Sequence, residues 1–117
     1  MATKPTLSRE YLYVPFTNMN FDVDDLAVNQ IAFTDAGVAP AELDWEPAIV
    51  VNSLHALYVA SIGEGLAILV GPTRGDTVTT VDLAAQDWQV WIDAAVTGSD
   101  ERVVRAAGVL EVNTLGA

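Results

Sequence analysis

The sequence contains a single histidine, His55, which is the first residue to consider for acid–base chemistry. Nucleophilic catalysis places a histidine within hydrogen-bond reach of a serine or another nucleophile. Ser53 and Ser61 lie close to His55 in sequence, but neither stands in the G-x-S-x-G turn that exposes a nucleophilic serine. We therefore expect a surface or interface histidine and no enzyme, with a small hydrolase that uses His55 as a rival hypothesis.

Two further segments have the composition of ligand sites. Asp22, Asp24 and Asp25 form an acidic turn, and carboxylates at this spacing can share a Ca²⁺ ion. The glycine and the bidentate glutamate of an EF-hand loop do not follow, so we predict no metal site. The glycine-bearing turn at residues 71–76 lacks the G-K-[ST] ending of a phosphate-binding loop. The sequence therefore predicts no cofactor.

The charge balance excludes some partners. The chain carries 16 acidic and 5 basic residues, for a net charge of −11. Phosphate backbones and anionic membrane surfaces are bound by clustered Lys and Arg, so we expect no nucleic acid and no membrane as partner. An acidic surface favours solubility and suits a basic partner surface.

The composition indicates one ordered domain held together by its core. Of the 117 residues 51% are hydrophobic, which is too many for a disordered chain. Cysteine is absent, so disulfides and Zn–Cys sites are excluded. The first residues lack the apolar stretch of a signal peptide, and we therefore expect synthesis in a cytoplasm.

The pattern along the chain predicts short strands and almost no helix. Apolar and β-branched residues alternate with polar ones in segments of about 4–10 residues, and turn residues separate these segments. This pattern is typical of an all-β, antiparallel, Ig-like β-sandwich of seven or eight strands. We predict a flexible segment at residues 1–8 and a single domain at residues 9–117. The predicted strands lie at residues 9–17, 25–34, 48–51, 56–62, 66–70, 77–81, 87–96 and 103–112.

Face assignments follow from the alternation of strand side chains. Leu12, Val14 and Phe16 should share the core face of the first strand, with Tyr11 and Tyr13 on the other face. Trp88 and Trp91 should lie on opposite faces of their strand, so that one is in the core and the other is accessible. In the last strand we expect Val104, Ala106, Leu110 and Val112 on one face, opposite Arg105 and Glu111.

Four aromatic residues are candidate interface anchors, because tyrosine and tryptophan dominate the energetics of protein interfaces. They are Tyr11, Tyr13, Trp45 and Trp91. The N-terminal segment and the connection at residues 36–47 are the expected contact elements, since loops on a rigid scaffold carry function. An exposed tryptophan also stacks on sugars, so a carbohydrate-binding or adhesion module is the alternative.

Several short motifs resemble one group of proteins. The motifs are LSREYLYVP at residues 7–15, APAELDWEPA at 39–48, LVGP at 69–72, WQVWI at 88–92 and RAAG at 105–108. Together they resemble small β-sandwich structural proteins of tailed phages that infect actinobacteria, over residues 8–112. The resemblance implies a protein of the capsid surface or the head–tail connector, located in the virion and assembled in the host cytoplasm. Its partners would be major capsid or connector proteins, and copies of itself. Residues 96–103 lack the proline that this connection has in those proteins.

Overall fold

The computed structural model describes residues 2–5, 8–16, 23–73, 75, 78–98 and 100–113. Within these residues it contains strands, turns and two short 3-10 helices, which confirms the all-β prediction. The 3-10 helices are Val23–Asp25 and Glu42–Asp44. The strands are β1 Ala2–Pro5, β2 Glu10–Pro15, β3 Leu26–Thr34, β4 Trp45–Pro47, β5 Ile49–Val51, β6 Gly65–Val70, β7 Gln86–Val96 and β8 Val103–Asn113. No helix in the described part of the chain is long and apolar enough to cross a membrane.

The strands form two sheets. The larger sheet has the order β1-β8-β7-β3-β4, and the smaller sheet has the order β2-β6-β5. All strand pairs are antiparallel except β1 and β8, which run parallel. β6 is the central strand of the smaller sheet, as its continuous apolar sequence predicts. β2 lies at the edge of that sheet, where Pro15 is tolerated because an edge strand leaves one row of N–H groups unpaired.

One hydrophobic core receives side chains from both sheets. The smaller sheet contributes Val14 and Ile68 to this core, among others, and the larger sheet contributes Ile31 and Ile92. Leu12, Phe16 and Trp88 pack against it, as the alternation predicts. Gly65 permits the close contact of β2 with β6, because a Cβ at this position would lie 2.1 Å from the Val14 carbonyl oxygen.

A bulge in β8 overturns the predicted face of the last strand. Gly108 pairs with Val90, but the next residue of β7, Trp91, pairs with Ala106. Ala107 is therefore the extra residue, and the side-chain alternation changes phase there. Leu110 points into the core, whereas Ala106 pairs with Trp91 and points to the opposite face of the sheet. The prediction that Val104 and Ala106 share a face with Leu110 and Val112 was wrong for this reason.

Two predicted strands are not strands. Residues 56–62 form successive tight turns, in which the amide of Tyr58 donates to the His55 carbonyl at 3.0 Å and the amide of Ile62 donates to Val59 at 2.9 Å. Of the segment 77–81, residues 78–81 are described, and only Val81 forms a bridge, with Val70. Both segments are rich in residues that favour strands, but neither lies beside a strand with which it could pair over its length. β-propensity reflects packing against neighbouring strands more than a preference of the backbone, so without such neighbours these residues do not form a strand.

The structure describes part of the N-terminal segment that the sequence separates from the domain. Residues 2–5 form β1, whose partners in β8 run from Leu110 to Asn113. Lys4 is buried in this strand, and its ammonium group donates to the Pro5 carbonyl at 2.5 Å. Burial lowers the pKa of Lys4, and the carboxylates of Glu10 and Asp82 oppose this shift.

Candidate functional site

The two candidate tryptophans lie on one face of the larger sheet. Trp45 of β4 and Trp91 of β7 both pair with Ala32 of β3, which lies between them. Directly paired residues point to the same side of a sheet, and neighbouring strands are about 4.8 Å apart, so the two tryptophan backbones are about 10 Å apart. Ile31 and Phe33 point into the core, so Ala32 and its two neighbours point away from it.

This tryptophan face, defined as Trp45, Ala32, Trp91 and the side chains in register with them, is partly covered by its own residues. Ala32 has no exposed surface, although it points away from the core. Both indoles are half-buried, and Nε1 of Trp91 donates to the Thr34 hydroxyl at 2.9 Å. The tryptophans therefore have a structural role on this face and still offer accessible surface to a partner.

An ion pair lies beside Trp91 on the same face. Asp93 follows two residues after Trp91 in β7 and is only 1% exposed. The Arg102 guanidinium binds both carboxylate oxygens, with Nε to Oδ1 at 2.9 Å and Nη2 to Oδ2 at 2.6 Å. These bonds and the charge of Asp93 raise the pKa of Arg102 above its ordinary value, and the charge of Glu42 adds to this increase. Arg102 thus compensates an otherwise isolated buried carboxylate.

The connection between β3 and β4 borders the tryptophan face. Its 3-10 helix, Glu42–Asp44, directly precedes Trp45. Asp44 stabilises this turn, because its carboxylate accepts the Ala41 amide hydrogen at 2.7 Å. Leu43 is 95% exposed within the turn. The predicted contact loop therefore presents an apolar side chain to solvent next to Trp45.

The two candidate tyrosines lie on the smaller sheet instead. Tyr11 and Tyr13 of β2 pair with Leu69 and Ala67 of β6, on the face that points away from the core. Tyr11 is 49% exposed. Tyr13 is half-buried, and its hydroxyl donates to the Gly63 carbonyl. Burial raises the pKa of Tyr13, with smaller contributions from Tyr58 and Glu64.

The four candidate anchors are thus divided between two sheets. The shared core separates the faces that hold them, so one flat partner surface cannot contact both pairs. Sequence alternation placed Tyr11 and Tyr13 on the face of β2 opposite Leu12 and Val14. It separated Trp88 from Trp91 without indicating which of them faces the core, and it placed Trp45 in a connection, whereas Trp45 begins β4. It did not indicate that Trp45 and Trp91 meet around Ala32, because strand order is a long-range property.

The other residues that the sequence singled out have local roles. His55 lies in a turn, and its Nδ1 accepts the Leu57 amide hydrogen at 3.1 Å. Asp24 accepts a hydrogen bond from Asn52 at 3.0 Å, and Asp22 lies outside the described residues. Among the residues that the structure describes, no three His, Cys, Asp or Glu side chains are grouped as metal ligands would be.

Sequence reasoning missed the Asp93–Arg102 pair. An acid in the middle of an alternating strand was a usable signal, because a charge there needs a partner. Arg102 precedes β8 without any pattern that identifies it as that partner.

Comparison with known proteins adds no relative. No family model matches this chain, and neither a curated protein nor a solved structure matches it.

Proposed function

We propose that this chain is a non-enzymatic structural protein of a phage virion, which binds the capsid surface or the head–tail connector in multiple copies. The observation that carries the proposal is the tryptophan face, where Trp45 and Trp91 lie about 10 Å apart around Ala32. Tryptophan is enriched at the energetic centres of protein interfaces. The motif resemblance in residues 8–112 supplies the identity of the partners, and many weak contacts on a repeating lattice add up through multivalency.

The proposal includes an Ig-like sandwich as the scaffold. With the letters B, C, C′, D, E, F and G given to β2 through β8 in chain order, the sheets read G-F-C-C′ and B-E-D. This is the strand order of immunoglobulin-type sandwiches, and β1 would be the A-type strand beside G. On this assignment the tryptophan face is the outer face of the G-F-C-C′ sheet.

The decisive experiment measures binding to phage heads. The purified chain is first sized by light scattering, and then it is sedimented with heads of the phage that encodes it, with and without tails. We expect the heads to deplete the chain from solution, at a stoichiometry that separates a decorated lattice from a single neck. No depletion at any salt concentration would contradict the proposal.

Two leucines provide a matched pair of variants for this assay. Leu43, beside Trp45, and Leu54, in the connection between β5 and β6, are 95% and 92% exposed. Neither side chain is packed, so substitution should leave stability within about 0.5 kcal/mol. We expect Leu43→Ser to reduce head binding several-fold and Leu54→Ser to leave it unchanged. Equal effects would exclude the turn beside Trp45 as part of the contact.

The second candidate function is a carbohydrate-binding module. Two indoles on one sheet face could stack on separate sugar rings of a glycan, since an exposed tryptophan combines an apolar face with an N–H donor. Glycan titrations monitored by tryptophan fluorescence test this function. Saturable quenching that disappears in Trp45→Phe and Trp91→Phe variants would favour it over the virion function.

A further inference from the structure

A cleft is lined by the smaller sheet and by β4, the edge strand of the larger sheet. It has a volume of about 310 Å³ and opens near the point where β4 leads into β5. Neither candidate tryptophan lines it. Its walls come from β2, β4, β5 and β6 and from residues 78–81, and they include Tyr11, Glu46, Ile49, Val78, Thr79 and Thr80.

The cleft combines apolar walls with one negative charge. Among the described residues of its wall, Glu46 is the only acidic one, and there is no Lys, Arg or His. Glu46 is half-buried, and none of the hydrogen bonds or ion pairs formed by the described residues involves its carboxylate. Partial burial of an unpaired carboxylate is unfavourable, and a cation in the cleft would relieve this cost.

A second polar group in the wall lacks a partner. The Thr80 hydroxyl is buried without any hydrogen bond. Buried polar atoms are nearly always paired in folded proteins, so an unpaired one needs an explanation. Rotation of the Thr80 side chain toward the cleft would let its oxygen accept a hydrogen bond from a bound donor.

We propose that this cleft binds the arginine side chain of a basic segment of a partner protein. The guanidinium donates to the Glu46 carboxylate and to the Thr80 hydroxyl, and the aliphatic stem packs against Ile49 and Val78. A guanidinium is weakly hydrated and stacks on aromatic rings, so the half-exposed ring of Tyr11 favours arginine over lysine. The net charge of −11 attracts a basic segment before contact.

This inference rests on the proposed function for the nature of the partner, since it adds a second contact for a bound protein. Glu46 directly follows Trp45 in β4, but the two side chains point to opposite sides of that strand, so the cleft and the tryptophan face are different surfaces. Separate assays can therefore test the two contacts.

The test is a titration of the ¹⁵N-labelled full chain with three tripeptide amides, monitored by NMR. The central residue is arginine, lysine or citrulline, which has the shape of arginine without its charge. We expect the arginine peptide to shift the amide signals of Glu46, Val78 and Thr80 saturably. Glu46→Gln should weaken this binding about tenfold through loss of a charge-assisted contact.

Two further variants control for charge and for folding. Glu111→Gln makes the same charge change at another half-buried strand residue, and binding should not change. Thr80→Val keeps the shape of the side chain, and it should weaken binding while it stabilises the free protein, because the unpaired hydroxyl is gone.

Three outcomes would overturn the inference. Shifts spread over all surface acids, with equal loss in the Glu46 and Glu111 variants, would show nonspecific attraction. Equal binding of the citrulline peptide would exclude charge recognition, and equal binding of the lysine peptide would exclude the arginine assignment. The titration contains no phage particle, so a negative titration would not contradict binding to phage heads. In the same way, a failure to bind phage heads would not contradict a positive titration.

Discussion

The outer faces of the two sheets use aromatic residues in different ways. On the larger sheet, Trp45 and Trp91 lie on either side of a fully buried Ala32. On the smaller sheet, the Tyr13 hydroxyl donates to Gly63 in the connection between β5 and β6, and Tyr11 is half-exposed beside a cleft. The first face therefore packs its aromatic residues against its own strands, whereas on the second face one tyrosine makes a structural hydrogen bond and the other is half-exposed.

An aromatic residue can therefore have a structural role without reaching the core. Ala32 points away from the core and still has no exposed surface. A small residue between two large ones forms a compact layer on the outside of a sheet, because cross-strand pairs are the unit of sheet stabilisation. Substitutions on the tryptophan face should therefore change stability more than equivalent substitutions on the tyrosine face.

The largest effect is expected for Trp91→Ala. This change uncovers Ala32 and leaves the Thr34 hydroxyl without its indole donor. We expect the free energy of unfolding to fall by about 3 kcal/mol. Urea unfolding followed by circular dichroism measures it. Tyr11→Ala on the smaller sheet is the control and should cost about 1 kcal/mol or less. Equal losses would remove the distinction between the two faces.

A smaller effect is expected for Asp93→Ala, which removes the buried carboxylate that Arg102 binds. Loss of a charge-assisted hydrogen bond should cost about 2 kcal/mol. Asp87→Ala, at an exposed position of the same strand, is the control. Once Asp93 is gone, Arg102→Met should have little further effect, and a full additional loss would show that Arg102 stabilises the fold by another route.

The smallest effect is expected for Tyr13→Phe, which removes the hydrogen bond to Gly63 and should cost about 1 kcal/mol at neutral pH. Because its pKa is raised, the folded state keeps the Tyr13 proton to higher pH than the unfolded state does. The contribution is complete below the unfolded pKa of about 10 and is lost as pH rises above it.

The pH profiles of the two proteins isolate this contribution. The lowered pKa of Lys4 acts with the opposite sign, since stability is gained as pH rises toward the ordinary value of 10.5. Lys4 is present in both proteins, so its effect cancels in the difference between them. Urea unfolding from pH 8 to 11 should show a flatter decline for Tyr13→Phe, and parallel declines would contradict the assignment.

Sequence patterns predicted the parts of the fold that depend on local alternation. The core face of β2 followed from the spacing of Leu12 and Val14, the two faces of β7 were separated at Trp88 and Trp91, and turn residues marked most strand ends. The phase change at Ala107 was not predictable, since a bulge depends on how β7 and β8 pair. Local patterns also do not show that Trp45 and Trp91 flank Ala32 or that Glu46 and Thr80 line one cleft. Both arrangements depend on how distant parts of the chain come together.

The parallel pairing of β1 with β8 also has a consequence for folding during synthesis. Ala2 pairs with Leu110, so the first of the described strands pairs with the last of them. Contacts between residues far apart in sequence slow folding, because the intervening chain must be ordered first. β1 must wait on the ribosome until β8 has emerged, and until then the outward edge of the larger sheet stays open. β1 can therefore complete that sheet only after β8 has joined it.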